Sequence, residues 1–569
     1  MISYRLLRMA LAPLGIWALL AAGIVRADAL TVVPALPAVG PYPIGCNNVS
    51  QDFSRLRPDE DVQKYWEGFP RDDGSPRYLT DLLSDPSNSL VLNIDVPNNS
   101  TLYGDFAQKR VPYGILVCYP TSADNTRPDY QLPTGRIVPH MQRGAETPIW
   151  PDDTTRFPVL LFSSGLGGSP ISNDYLHALA LFATYGYVVV APFHGDARIT
   201  DIRIQGLTDL FYAILHFKNF VAMQALRPLS LKIALDAVLA HPHFIDRVDP
   251  TKIGGFGASQ GGESMMLMTG ARLTTTIGQS SQTVLTDPRV KAIVGYVPYF
   301  GQPIYPAFGR RQDGLAGIKV PFLGISGTAD TTAPIGTTED GVQRLAGTRE
   351  LVALVGTKHE FDYAASDDIF TWSLTFLAAH AQDDRLARAR AARMTSVAGG
   401  GNDIEIIDYT APASAGPDER IVVEYHNAKL NHYFITAEPA EAAMLDAGIL
   451  VPGWVRTGYN FKAWPAGSPR GLAACRFFGP RFNSHFYTID ADECALRKAD
   501  PFWSYEGIAF NAFWTPTPDC PEDLIPVARL YNNGMGGQAN HRYLTSRSEI
   551  NNMYQNGWTV EGQVFCTPP

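Results

Sequence analysis

Between residues 113 and 379, short apolar runs rich in β-branched residues alternate with stretches whose apolar positions recur at helical spacing. A strand buried on both faces loses the period-two alternation, so continuous runs such as 158–163 and 187–191 predict interior strands of a mostly parallel sheet. The expected strands are 115–118, 158–163, 187–191, 252–257, 290–297, 321–326 and 351–355. The expected helices are 172–185, about 207–225, 229–240, 260–269 and 369–379. Crossover helices between parallel strands cover both faces of the sheet, so the predicted fold class is α/β, a doubly wound and mostly parallel sheet.

Past this region the pattern changes. Residues 395–417, with Gly399, Gly400, Gly401, Pro412 and Pro417, have the composition of a linker. Beyond it, His432-Tyr433-Phe434, His485-Phe486-Tyr487 and His541-Arg542-Tyr543 are each followed by a WxxxG element starting at Trp454, Trp503 and Trp558. A Phe follows each glycine by three residues, at Phe461, Phe510 and Phe565. Three copies at roughly 50-residue spacing predict three similar units burying one another's apolar faces. Short aromatic strands make a smaller all-β repeat domain with pseudo-threefold organisation the expectation. The division that follows is a signal segment at 1–27, an α/β domain at 28–394, a linker at 395–420 and a repeat domain at 421–569.

At the amino end, Arg5 and Arg8 precede an apolar run, and Val25-Arg26-Ala27 ends in a small residue suited to cleavage. This predicts a secretory signal; the competing anchor helix is disfavoured by Pro13 and by the shortness of the run. Loss of Arg5, Arg8 and Arg26 removes three positive charges and takes the formal charge from −10 to −13. Such an acidic balance disfavours nucleic acid and anionic membranes as partners. The six cysteines, Cys46 and Cys118 early and Cys475, Cys494, Cys520 and Cys566 late, predict one early and two late disulfides in an exported chain. The late four allow three pairings, and none has the spacing of a metal site, so no metal is expected.

Gly257-Ala258-Ser259-Gln260-Gly261 follows an expected strand and opens an expected helix. That is the setting of a nucleophile elbow, in which a very tight turn needs glycines and holds the serine hydroxyl outward. A serine hydroxyl needs a base, and the base needs a group to fix its tautomer. His359, past strand 351–355, and Asp330, past strand 321–326, supply both roles in the chain order serine, acid, histidine. Glu360 and Asp362 compete for the acid's role, but side chains adjoining the histidine seldom point at its ring. The loop Ser164-Gly165-Leu166-Gly167-Gly168 follows strand 158–163, and the expected oxyanion donors are the backbone N–H groups of Leu166 and Gln260. The apolar stretch 207–225 is a candidate pocket wall, with an ordinary core helix as the plainer reading, and His194 is a candidate for the site's vicinity, with a structural histidine as the plainer reading.

The run 158–168, the run 186–192, the elbow, the Asp330 turn and the His359 loop together resemble the α/β-hydrolase superfamily. Within it the resemblance is to dienelactone hydrolases, platelet-activating-factor acetylhydrolase-like enzymes and the cutinase and polyester-hydrolase group. Ala258 and Ser164 stand where such relatives commonly carry histidine. The resemblance covers about residues 42–379 and implies a secreted serine carboxylic-ester hydrolase working through an acyl-enzyme, without a cofactor. Small-molecule esters, polyesters and acylated polysaccharides are all compatible substrates. The histidines and aromatics of the C-terminal repeats would then either stack on a carbohydrate or polymer surface or, as the plainer reading, form the repeated core of each unit. A reading from another class is a secreted binding or adhesion protein on a catalytically silent scaffold.

Overall fold

The computed structural model describes residues 31–47, 90–131, 135–142, 146–196, 199, 215–302, 307–361, 365–399, 402–412, 415–449, 452–515, 520–535 and 539–569. The expected signal segment, Asp362 and the stretch 207–214 lie outside the described residues.

Ten strands form one mixed sheet. They are β1 (Ile44–Cys46), β2 (Leu90–Asp95), β3 (Arg110–Pro120), β4 (Phe157–Ser163), β5 (Val188–Pro192), β6 (Val248–Ala258), β7 (Val290–Tyr296), β8 (Phe322–Gly327), β9 (Arg349–Leu354) and β10 (Asp403–Tyr409). Their spatial order is β10-β9-β8-β7-β6-β4-β5-β3-β1, with β2 also on β3. The six strands from β5 to β9 are parallel, whereas β3 on β5 and β10 on β9 are antiparallel. Helices α1 (Asn173–Thr184), α2 (Phe217–Ala240), α3 (Gln260–Met268), α4 (Ser366–His380) and α5 (Arg385–Arg393) flank it.

The continuous apolar runs are explained by burial on both faces. On β4, Val159 and Leu161 enter a core shared with α2 and α3, while Leu160 and Phe162 enter a second core shared with α1 and α4, and all four are fully buried. Each such side chain contributes roughly 1.5–3 kcal/mol, so both faces drive the sheet together.

All seven expected strands are present, and four of the five expected helices have matching elements. The separation between 207–225 and 229–240 is not: α2 runs unbroken through Pro228. An interior proline removes one helical hydrogen bond, but α2 is buried along most of its length, and packing outweighs that loss. Part of the expected linker also folds. Met394–Ala398 pairs in parallel with Thr31–Pro34, and β10 extends the main sheet. The glycine signal at Gly399 marks the turn between these strands rather than a tether.

The carboxyl-terminal region is β-rich. Its units comprise β11 (Arg420–Asn427), β12 (His432–Thr436) and β13 (Trp454–Ala463); β14 (Leu472–Gly479), β15 (Ser484–Thr488) and β16 (Ser504–Ala512); and β17 (Ile525–Tyr531), β18 (His541–Leu544) and β19 (Thr559–Thr567). Each forms a three-stranded antiparallel sheet. The units are not all-β, because helices α6 (Pro439–Asp446), α7 (Ala491–Ala499) and α8 (Arg547–Gln555) join the second strand to the third. Strand register also corrects the sequence alignment by one residue in the first unit. Glu424 faces Ile435 as Arg476 faces Tyr487 and Arg529 faces Tyr543, so His485 and His541 correspond to Tyr433. His432 corresponds to Ser484 and Asn540, and these three buried polar residues meet centrally. The His432 ring nitrogen lies 2.9 Å from the Asn483 carbonyl, and the Asn540 amide donates to Ser484 Oγ at 2.9 Å.

Ion pairs link the units into a ring. Arg476 and Arg529, both half-buried, reach Glu441 on α6 and Glu493 on α7 of the preceding unit, while Arg542 reaches Glu549 on α8 of its own unit. In the first unit the sign is inverted: Glu424 stands where the other units carry arginine and accepts two bonds of 2.9 Å from Arg542. Disulfides Cys475–Cys494 and Cys520–Cys566 lie in this region, and Cys46–Cys118 joins β1 to β3, giving the expected one early and two late bridges. Arg542→Ala should strand the Glu424 carboxylate, only 1% exposed, at a cost of about 3 kcal/mol. The check is thermal unfolding followed by near-UV circular dichroism, and an unchanged midpoint would show that this pair does not hold the ring.

Candidate active site

Ser259 lies between β6 and α3 at φ 51° and ψ −116°, a conformation costly for a residue with a side chain. The surrounding backbone holds it there: the Ser259 N–H donates to the Tyr296 carbonyl at 2.9 Å, and its own carbonyl accepts from Gly262 at 2.9 Å and Tyr299 at 3.0 Å. The flanking glycines are required by close approach. A Cβ at position 257 would lie 2.2 Å from the Gly261 carbonyl oxygen, and one at 261 would lie 2.0 Å from that of Ser163.

The other two predicted side chains converge on this hydroxyl. His359 Nε2 is 2.9 Å from Ser259 Oγ, and His359 Nδ1 is 2.7 Å from Asp330 Oδ2. The remaining Asp330 oxygen accepts from the Thr332 and Ala333 N–H groups, both at 2.8 Å, so the carboxylate cannot swing away without losing two bonds. The two loops are stitched together by Thr328 N–H to the Leu354 carbonyl at 3.0 Å and Ala329 N–H to the Thr357 carbonyl at 3.0 Å. Beyond His359, Tyr296 Oη donates to the Glu360 carbonyl at 2.9 Å, and its ring packs on Phe361. Glu360 points to the same cavity but is exposed, and Asp330 holds the imidazole.

The hydroxyl opens into a cavity of about 750 Å³. Its walls include Leu166, Gly167, Tyr175, Phe220, Tyr299 and Phe361. Leu166 and Gln260 both line it, and among the described residues neither backbone N–H has an acceptor. Phe220, within the stretch read as a pocket wall, does reach the cavity. His194 does not line it. That ring is buried between Ser163 Oγ at 2.8 Å and Ser230 Oγ at 3.0 Å, and burial holds its pKa well below the usual histidine value. Among the described residues no group of three or more His, Cys, Asp or Glu side chains is placed to hold a metal ion.

Three contributors escaped the sequence reading: Tyr175, Arg227 and Asp196, whose side chains hold the backbone of the Ser164–Gly168 loop. The one available signal was Arg227 standing as the lone charge between Lys218 and Lys232. Behind the elbow sits Glu263, fully buried on α3 and bonded through Oε1 to the Gln224 amide at 2.6 Å. Burial pushes its carboxyl up to about 8, so it is mostly neutral at pH 7 and places little negative charge behind Ser259.

Residues 391–567 match a family model described as a domain of unknown function, DUF5648. The match begins within α5 and takes in β10 as well as the three repeated units. No curated protein matches the chain.

The raised Glu263 pKa has a thermodynamic signature. The unfolded carboxyl ionises near 4.5 and the folded one near 8, so between these values the native state binds the extra proton. Stability therefore falls as pH rises through this window, by at most about 1.4 kcal/mol per unit. Glu263→Gln should flatten that slope and leave the variant more stable than wild type at pH 8, as read by thermal melts from pH 5 to pH 8. Parallel curves for the two proteins would contradict it.

Proposed function

We propose that the chain is an exported serine carboxylic-ester hydrolase of the α/β-hydrolase type. The observation that carries this reading is the imidazole of His359 placed between Ser259 Oγ at 2.9 Å and Asp330 at 2.7 Å, with the hydroxyl facing a cavity. The parallel order of β5 to β9, the strained turn at Ser259 and the helices on both faces support the fold assignment. The three disulfides accord with an oxidising, extracellular destination. Among the described residues no helix is long and apolar enough to cross a membrane.

In the proposed reaction, Ser259 Oγ attacks the ester carbonyl while His359 Nε2 takes the hydroxyl proton, and Asp330 stabilises the resulting imidazolium. The carbonyl oxygen becomes an oxyanion, which the free N–H groups of Leu166 and Gln260 stabilise. Collapse expels the alcohol, which receives the proton from His359 and leaves an acyl-enzyme. Water then enters, gives a proton to His359, and attacks the acyl carbon. A second collapse returns that proton to Ser259 and frees the acid.

The cavity walls favour a substrate class. Aromatic side chains of Tyr175, Phe220, Tyr299 and Phe361 line it together with the acids Asp174 and Glu360, and among the described residues no Lys or Arg does. Such a lining suits neutral acyl groups and opposes carboxylate-bearing ones. Polyester and acylated polysaccharide remain within this class. Of the repeat histidines, His432 is buried, and the half-buried His485 and His541 lie 3.3 Å and 3.6 Å from Glu506 and Glu561.

A fluorophosphonate should label wild type and leave Ser259→Ala unlabelled, and Asp330→Asn should lower kcat on p-nitrophenyl butyrate by roughly 10³–10⁴-fold. A folded wild-type protein that takes no label would support the silent-scaffold reading instead. On steady-state rates, a neutral p-nitrophenyl ester should exceed its counterpart bearing a terminal carboxylate. The reverse order would refute the substrate class.

A further inference from the structure

From Gly165 to Gly168, every backbone N–H but one has an acceptor among the described residues, and the exception is the donor the reaction needs. Arg227, on α2 and only 1% exposed, donates from Nη1 to the Ser164 carbonyl at 2.7 Å and from Nη2 to the Gly165 carbonyl at 2.9 Å. Its Nε donates to Asp196 Oδ1 at 2.9 Å, and Nη2 also bonds Asp196 Oδ2. Asp196 Oδ2 in turn accepts the Gly167 N–H at 3.1 Å, and Tyr175 Oη accepts the Gly165 N–H at 3.1 Å. Between these anchors the Leu166 N–H alone is left without an acceptor among the described residues.

Peptide planarity turns that arrangement into aim. The Gly165 carbonyl and the Leu166 N–H belong to one rigid amide and point in opposite directions, so a bond that fixes the carbonyl fixes the N–H. A guanidinium on the carbonyl oxygen also polarises the amide and strengthens its N–H as a donor. The fork geometry matters because one planar group must span two successive carbonyls and a carboxylate at once, which an ammonium cannot do. Nearby titratable groups leave Asp196 as the counter-charge: Glu263 is mostly neutral at pH 7, and His194 is uncharged through burial.

We propose that Arg227, locked by Asp196, is a positioning residue that aims the Leu166 N–H at the developing oxyanion. This rests on the esterase reading above, and it assigns to a buried ion pair the task of setting transition-state stabilisation from behind the loop. Neither side chain touches substrate: among the described residues lining the cavity, neither Arg227 nor Asp196 occurs.

The test uses the full chain with p-nitrophenyl butyrate as substrate and an alkylboronic acid that adds to the serine and presents an anionic oxygen. Arg227→Gln should lower kcat about 30- to 100-fold while KM stays within threefold. The boronic acid Ki should rise by the same factor as kcat falls, and the pH profile should keep its shape because His359 and Asp330 are untouched. Asp196→Asn, which keeps an acceptor for Gly167 but loses the charge, should shift kcat and Ki together by about tenfold. If Arg227→Gln does not fold, Arg227→Lys is read instead, with the same paired loss of about tenfold. A folded variant with wild-type kcat, a rise in KM alone, or an unchanged boronate Ki would overturn the proposal. Wild-type protein that neither turns over the ester nor takes a fluorophosphonate would instead overturn the esterase reading.

Discussion

A serine at positive φ is tolerated only where its surroundings leave no alternative. At Ser259 the constraint comes from two directions: the end of β7 takes the N–H through the Tyr296 carbonyl, and Gly262 and Tyr299 take the carbonyl. Strain of a few kcal/mol at one residue is thereby offset by three backbone bonds. Everything else at the site follows from where that turn projects the hydroxyl. The β8 and β9 loops bring Asp330 and His359 to the same rim, and the loop after β4 approaches because position 261 carries no Cβ.

The sequence exposed this site well because each part sits immediately after an apolar strand, and such strands are read from hydrophobicity alone. Ser259, Asp330 and His359 come from three separate loops yet share one local signature, a polar residue just past a buried run. Arg227 and Asp196 lack any such signature. Their pairing joins α2 to the loop after β5 and is a property of tertiary packing, which no local window contains. The gap between the expected helices 207–225 and 229–240 closes for a similar reason: burial along α2 outweighs the hydrogen bond lost at Pro228.

The repeats show a different kind of misreading. Matching histidine to histidine was the natural alignment, yet the backbone aligns His485 and His541 with Tyr433. A one-residue shift in a strand exchanges the two faces of the sheet, so the register decides which side chains reach the centre. His432, Ser484 and Asn540 do: His432 Nδ1 meets the Asn483 carbonyl and Asn540 donates to Ser484, while His432 Nε2 has no hydrogen-bond partner among the described residues. The helices of each unit were hidden because two of them are strongly polar stretches, Ala491–Ala499 and Arg547–Gln555, whose contribution is to present Glu493 and Glu549 to arginines.

β10 belongs to two descriptions at once. Its hydrogen bonds place it at the edge of the main sheet, while the matched domain of unknown function includes the whole of it. The Arg547 guanidinium of the third unit is clasped by Glu405 on this strand, and Ser546 donates to Asp408 at 2.7 Å. Excising residues 391–567 as a transplantable cassette would therefore uncover the amides of β9 and leave an open β-edge prone to self-association. Recombination upstream of Met394 carries a strand of one body away with the other, whereas a splice after Tyr409 keeps β10 on the sheet but deprives Glu405 and Asp408 of their cation.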